Sequence, residues 1–309
     1  MKSILYPESG PLSLESFYSV MGAPQRFSPD MMLKHEIQVK TITPADALTI
    51  GYQAVIEGAT PGYAEEVGIN PLTQTDPILS EFIPMWMEEE ANHTRGLLKF
   101  LDCVIVEEVD GRQTPGLEFL DGLHQLKVVA AKENPRVNYN FDDTSKYLTS
   151  IKDFLSSSVL QTQTGQETMA AIHMTWGMAN EWLTWAGYYA LRKVADHPVL
   201  NKTLPLIQKD EKKHATVYGM QAEIRLQQHP SLRPLVRFLL KKYYSPVGVP
   251  VMPETYFGYV AKHLKTANAI GKLAIDEVAD SKLIRLPGQK PVQEQAINRA
   301  LNAYHAFAA

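Results

Sequence analysis

The tightest constraint on this chain is a chemical contradiction that occurs twice. The stretch "FIPMWMEEEANHTRGLLKFL", residues 82–101, reads as a helix whose apolar side runs Ile83, Trp86, Glu90, His93, Leu97 and Leu101. A carboxylate and an imidazole, one turn apart, stand in the middle of the face that ought to be buried. The stretch "LIQKDEKKHATVYG" repeats the arrangement with Glu211 and His214, preceded by Leu200, Leu204 and Ile207 and followed by Ala215 and Tyr218. None of the other seven histidines has a glutamate three positions before it. A buried carboxylate is costly unless paired or bound to metal. Residues at i and i+3 face the same way, so each pair can converge on one cation.

A second expectation follows. A dimetal site in a helix bundle takes a Glu-x-x-His pair from each of two helices and a single Glu from each of the other two. Glu181 lies at helical spacing among Met174, Met178, Trp185 and Tyr188, and Glu57 shares a face with Ile50, Ala54 and Ala64. Each single Glu precedes a pair by about one helix-turn-helix, a spacing that returns an antiparallel hairpin to the same height. Four carboxylates neutralise two divalent ions. Oxygen-rich ligation with two nitrogens suits iron or manganese better than zinc.

The rest of the chain reads as helical too. Residues 1–42 are expected to be irregular, broken by Pro7, Pro11, Pro24 and Pro29. Thr43, Pro44 and Asp46 form a helix-start signature, and Pro61 should kink or end that helix. "INPLTQTDP" reads as a loop, with a long helix starting at Pro77. "VIVEEVDGRQTPG" suits a short extended piece or turn, and "ENPRVNYNFDDTSK" a loop. Long helices are expected from about Glu167 to Ala195 and from Asp196, as a cap, to before Pro230. Further helical stretches fall around 254–281 and 291–307. The expected architecture is all-α: a single four-helix bundle domain over 43–309, with additional helices and an insertion around 104–165.

Net charge −4 argues against a nucleic-acid binder. The single cysteine, Cys103, excludes internal disulfides and multi-Cys zinc sites, and points to a reducing compartment, the cytoplasm. No apolar run is long enough to span a bilayer, and the start lacks a secretory core.

These residues resemble the soluble acyl-ACP desaturases, members of the ferritin-like di-iron superfamily. "WMEEEANHTRGLL" is similar to that family's Trp-x-x-x-Glu-x-x-His helix, with Trp86 at the tryptophan position. "DEKKHATVY" resembles its Asp-Glu-Lys-Arg-His run, and "IEGATPGY" its first-helix segment. "NEWLTWAG" carries Thr184 three residues after Glu181, and "LIRLPG", with Arg285 and Pro287, is similar to a short stretch near the family's C-terminus. The likeness runs from about 43 to 288. It implies that Glu90 and Glu211 bridge two irons, that Glu57 and His93 complete one, and that Glu181 and His214 complete the other. It also implies catalytic roles for Thr184, on the oxygen side of the metals, and for Asp210, beside a histidine on the electron path.

The implied reaction is dioxygen-dependent removal of two hydrogens from an acyl chain on acyl carrier protein, with electrons from a donor such as ferredoxin, by a homodimer. Hydroxylation of a carrier-bound intermediate is the nearest alternative, and a ferroxidase a more distant one. The chain departs from the family in its 91-position gap between Glu90 and Glu181, and in its tryptophans, which all lie at 86, 176, 182 and 185. Basic residues at Arg192, Lys193, Lys209, Lys212, Lys213, Arg237, Lys241 and Lys242 are candidates for a carrier-protein docking face.

Overall fold

Prolines and their caps divide this chain into helices before packing acts on them. The computed structural model describes residues 14–22, 26–122, 162–244, 248, 254–269, 294–295, 297–302 and 305. The loop expected at 133–146, Arg285 and Pro287 of the C-terminal motif, and the stretch from 270 to 281 lie outside the described residues.

The segment before 43, expected to be irregular, contains helix α1 (Leu14–Met21), a short 3-10 turn at Pro29–Met31 and the one-turn α2 (Lys34–Ile37). Phe17 and Met21, four apart, are both fully buried, which is enough apolar patterning to hold two turns of helix against the core. Helix α3 (Pro44–Gly58) starts as its signature requires, with Thr43 and Asp46 exchanging backbone-to-side-chain hydrogen bonds of 3.1 and 3.2 Å. It stops three residues before Pro61, which sits in the first turn of α4 (Thr60–Gly68). Ala64, expected on the face of Glu57, therefore belongs to the next helix. "INPLTQTDP" is not all loop: Asn70 caps a single turn, α5 (Pro71–Thr75), by accepting from the Leu72 amide.

Asp76 then caps the amides of Ile78 and Leu79 to start α6 (Pro77–Cys103). A two-stranded antiparallel hairpin follows, β1 (Ile105–Glu107) with β2 (Gln113–Pro115), and then α7 (Gly116–Gly122). Helix α8 (Gln163–Ala195) begins four residues earlier than expected because Thr162 caps it. Asp196, expected to open the following helix, instead ends α8 in a left-handed conformation (φ 45°), and His197 caps α9 (Pro198–Gln228). Helices α10 (Arg233–Tyr243) and α11 (Glu254–Thr266) complete the described elements.

The chain is all-α, with α3, α6, α8 and α9 as its central four helices. The most extensive packing is between α8 and α9, then between α3 and α6, so the core is two helix pairs laid together. Helix α3 is buried on every side from Asp46 to Glu57, because α11 covers the flank that α6 and α8 leave open. Arg225 of α9 ties the start of α6 to the start of α8, 3.1 Å from Asp76 and 3.8 Å from Glu167. Asp46 and His263 join α3 to α11 at 2.8 Å.

No helix among the described residues is long and apolar enough to cross a membrane.

Candidate metal centre

Each central pair of helices repeats one local design. In α6 a proline at 84 precedes Glu90 by six positions, and in α9 Pro205 precedes Glu211 by the same interval. Each proline removes one backbone hydrogen bond inside its helix, a turn and a half before the Glu-x-x-His pair. An acidic residue, Glu89 or Asp210, stands just before each of the two glutamates.

Helices α3, α6, α8 and α9 bring all six expected ligands to one buried point. Glu57, Glu90, His93, Glu181, Glu211 and His214 are each at most 6% exposed. They fall into two overlapping groups, Glu57 with Glu90, His93 and Glu211, and Glu90 with Glu181, Glu211 and His214, whose ligand atoms lie within 4.8 Å of one another.

Glu90 and Glu211 are common to both groups, and their oxygens divide accordingly. Glu90 Oε2 is 3.0 Å from His93 Nδ1, while Oε1 is 3.0 Å from His214 Nδ1. Glu211 Oε1 is 3.3 Å from His93 Nδ1, and Oε2 is 3.9 Å from His214 Nδ1. Glu181 Oε2 lies 3.7 Å from His214 Nδ1. Glu90 and Glu211 thus each turn one oxygen to each histidine.

The outward nitrogens of both imidazoles are held by acids from the opposite helix. His93 Nε2 is 3.3 Å from Asp210 Oδ2, and His214 Nε2 is 2.8 Å from Glu89 Oε2. A neutral imidazole donating from Nε2 keeps its Nδ1 lone pair free, and on both rings that atom faces the cluster. Lys213 joins the two outer acids, its Nζ 2.8 Å from Glu89 and 2.7 Å from Asp210. Arg26 adds a longer contact of 3.6 Å to Glu89.

The electrostatics describe a cluster short of positive charge. Burial, and then the charges of Glu90 and Glu211, push the Glu57 carboxyl well above its ordinary range; burial also raises Glu181. Burial opposes charge on Glu90 too, but a hydrogen bond from Glu57 and the His93 charge hold it well below that range. Burial likewise disfavours charged His93 and His214, yet the carboxylates around them raise both well above an ordinary histidine. A bound cation would offset the burial and mutual repulsion that these carboxylates face. Both oxygens of Glu211 and Nδ1 of His214 are buried without a hydrogen bond, a state that metal ligation would relieve. The residues present could hold a metal ion.

The two remaining site candidates differ. Asp210 is in contact with His93, whereas Thr184 is buried three positions beyond Glu181 and, among the described residues, no hydrogen bond ties it to the cluster. Trp86 is buried and stacks on Phe82, with Tyr218 edge-on to both rings beside His214.

Sequence reasoning missed Glu89 and Tyr188. Glu89 occupies the position in its helix that Asp210 holds in the other, a correspondence visible once the two pairs are aligned. Tyr188, fully buried, donates its hydroxyl to Glu57 Oε1, whereas the sequence shows only its place on the face of Glu181. Lys213, expected on a solvated docking face, is 7% exposed and belongs to the centre.

No family model matches the chain, and no curated protein or solved structure matches it either.

Proposed function

We propose that this protein is a di-iron oxidoreductase that uses dioxygen to desaturate a fatty acyl chain carried on acyl carrier protein, with electrons from a ferredoxin-type donor. The observation that carries the reading is the sharing of Glu90 and Glu211 between two ligand groups, each completed by one histidine and one further glutamate. Four carboxylates and two imidazoles form a donor set suited to iron. When bound, two such ions supply the paired redox equivalents needed to turn dioxygen on an unactivated C–H bond.

The side chains of the protein do the remaining work. Glu57 with His93 would hold one ion and Glu181 with His214 the other, with Glu90 and Glu211 between them. Asp210 and Glu89 orient the imidazoles so that Nδ1 points inward. Tyr188 donates to Oε1 of Glu57 and so holds that carboxylate in place. Phe82, Trp86 and Tyr218 wall the His214 side with apolar surface that excludes water, as Met174 and Met178 do along α8. Such surroundings suit a hydrocarbon chain, and the single cysteine suits the cytoplasm.

The test is loading of the purified chain with ferrous iron under argon, followed by air, reduced ferredoxin and stearoyl-acyl carrier protein. Two irons per chain and a product lighter by two hydrogens are expected. A product heavier by one oxygen would replace desaturation with hydroxylation. Failure to bind a second iron would sink the dinuclear reading itself.

A further inference from the structure

Three aromatic side chains outside the ligand set form a continuous row of ring contacts along α8. The Trp182 and Trp185 rings meet edge-to-face with centroids 6.2 Å apart, and the Trp185 and Tyr189 rings stack at 5.7 Å with planes 9° apart. The Arg192 guanidinium lies over the outer end, 5.7 Å from the Tyr189 centroid. Positions 182, 185, 189 and 192 form one row of a helix surface, so the helix alone keeps the series in line. Trp182 directly follows the ligand candidate Glu181, so one peptide unit joins the row to the centre.

Aromatic residues at helical spacing usually just fill a core, and two features distinguish this row. Its burial falls from one end to the other: Trp182 is buried, Trp185, Tyr189 and Arg192 are half-buried, and Lys193 is exposed. It therefore runs from the interior to the surface rather than across the interior. Its outer end also lies in a basic region at the C-terminus of α8, where Lys40 Nζ binds the carbonyls of Ala195 and Asp196 at 3.2 and 2.8 Å. Beside His93, by contrast, lies the ring of Phe27, 5.9 Å away, a side chain without the redox activity of tryptophan or tyrosine.

We infer that Trp182, Trp185 and Tyr189 are the electron-entry path to the centre, and that Arg192 and Lys193 mark where an acidic one-electron carrier protein docks. The inference rests on the dinuclear reading above. Each transfer oxidises the carrier by one electron and reduces one metal ion by one. The rings bridge the gap and are unchanged once the electron has passed. Charge complementarity between carrier and basic patch raises the encounter rate more than the affinity, and salt weakens it.

The experiment loads the full chain with iron, oxidises it in air, and follows its reduction by a reduced [2Fe–2S] ferredoxin in a stopped-flow instrument. Trp185→Leu is expected to slow the saturated rate on the order of tenfold or more, while Trp185→Phe, which keeps a ring, falls between. Arg192→Glu combined with Lys193→Glu should raise the ferredoxin concentration needed and flatten its salt dependence, with the saturated rate kept. Iron content and slow, complete reduction by dithionite are checked in each variant, so that a damaged centre is distinguished from a broken path. An unchanged saturated rate in an iron-replete Trp185→Leu protein would overturn the path. A wild-type chain that takes up no iron would overturn the dinuclear reading instead.

Discussion

His214 Nε2 lies 2.8 Å from Glu89 Oε2 while the other nitrogen of the same ring faces the carboxylate cluster. The mirror relationship joins His93 to Asp210. In each case the acid sits beside a bridging candidate on one helix and serves the histidine of the other. The two Glu-x-x-His helices therefore set each other's ligand geometry, and neither can present its imidazole correctly alone.

Glu89→Ala is expected to weaken metal binding by about 10–100-fold, the range for losing a partner of a ligating histidine. Glu89→Gln retains an acceptor and should lose less. Competition with a coloured chelator measures both. An affinity in Glu89→Ala equal to wild type would show that His214 needs no such orienting partner.

Lys213→Met tests the ammonium between the two outer acids. With Lys213 gone, Glu89 and Asp210 lose a shared buried countercharge, and breaking such an arrangement costs roughly 3–5 kcal/mol. Urea unfolding of the metal-free protein should show that loss. Lys209→Met, at an exposed position of the same helix, should stay within about 0.5 kcal/mol.

That contrast also shows what the sequence could not convey. The buried cluster of six side chains was legible because an acid or imidazole on an apolar stripe violates the helical pattern, and the violation recurs at Glu90 and Glu211. Helix α3 was legible at its start, where Thr43 and Asp46 act locally. Lys213 was not, because a lysine in a run of charges looks the same whether its partners are solvent or two acids brought in by folding. Asp196 was misplaced for a related reason: one residue can end a helix or begin the next, and only the left-handed backbone decides. Helix α1 was not legible because Pro7, Pro11, Pro24 and Pro29 dominate that segment, although Leu14, Phe17, Tyr18 and Met21 stand at helical spacing.

Metal uptake should release protons. The raised carboxyls of Glu57 and Glu181 and the raised imidazoles of His93 and His214 carry protons that ligation must displace. Apparent affinity is therefore expected to rise with pH. Calorimetry in two buffers of different ionisation heat should give different apparent enthalpies of iron binding; equal enthalpies would mean no net proton release.

A separate acid sensitivity belongs to His173. Burial pushes its imidazole down to about 4, and its Nδ1 is buried without a hydrogen bond. The unfolded chain takes up this proton near pH 6.5 while the folded one holds off until about 4, so stability falls as pH drops through that window, by at most about 1.4 kcal/mol per unit. His173→Leu should remove that part of the slope, read as unfolding free energy at several pH values. An identical slope in the variant would assign the sensitivity elsewhere.

Gly96 gives the sharpest packing test. Glycine inside a helix costs about 1 kcal/mol relative to alanine, so its presence in α6, three residues after His93, calls for a reason. A Cβ there would stand 2.3 and 2.7 Å from ring carbons of Phe27, which is itself 3% exposed and packed against the His93 ring. Buried on its other sides, that ring has little room to retreat. Gly96→Ala is therefore expected to destabilise despite the better helix propensity, by about 1–3 kcal/mol of overpacking set against about 1 kcal/mol gained. Because the displaced ring touches His93, metal affinity should fall as well. Adding Phe27→Leu shortens the obstructing side chain, and the double variant should recover part of both losses, a coupling that a double-mutant cycle isolates. A Gly96→Ala protein more stable than wild type, with unaltered metal binding, would mean that Phe27 does not press on the centre.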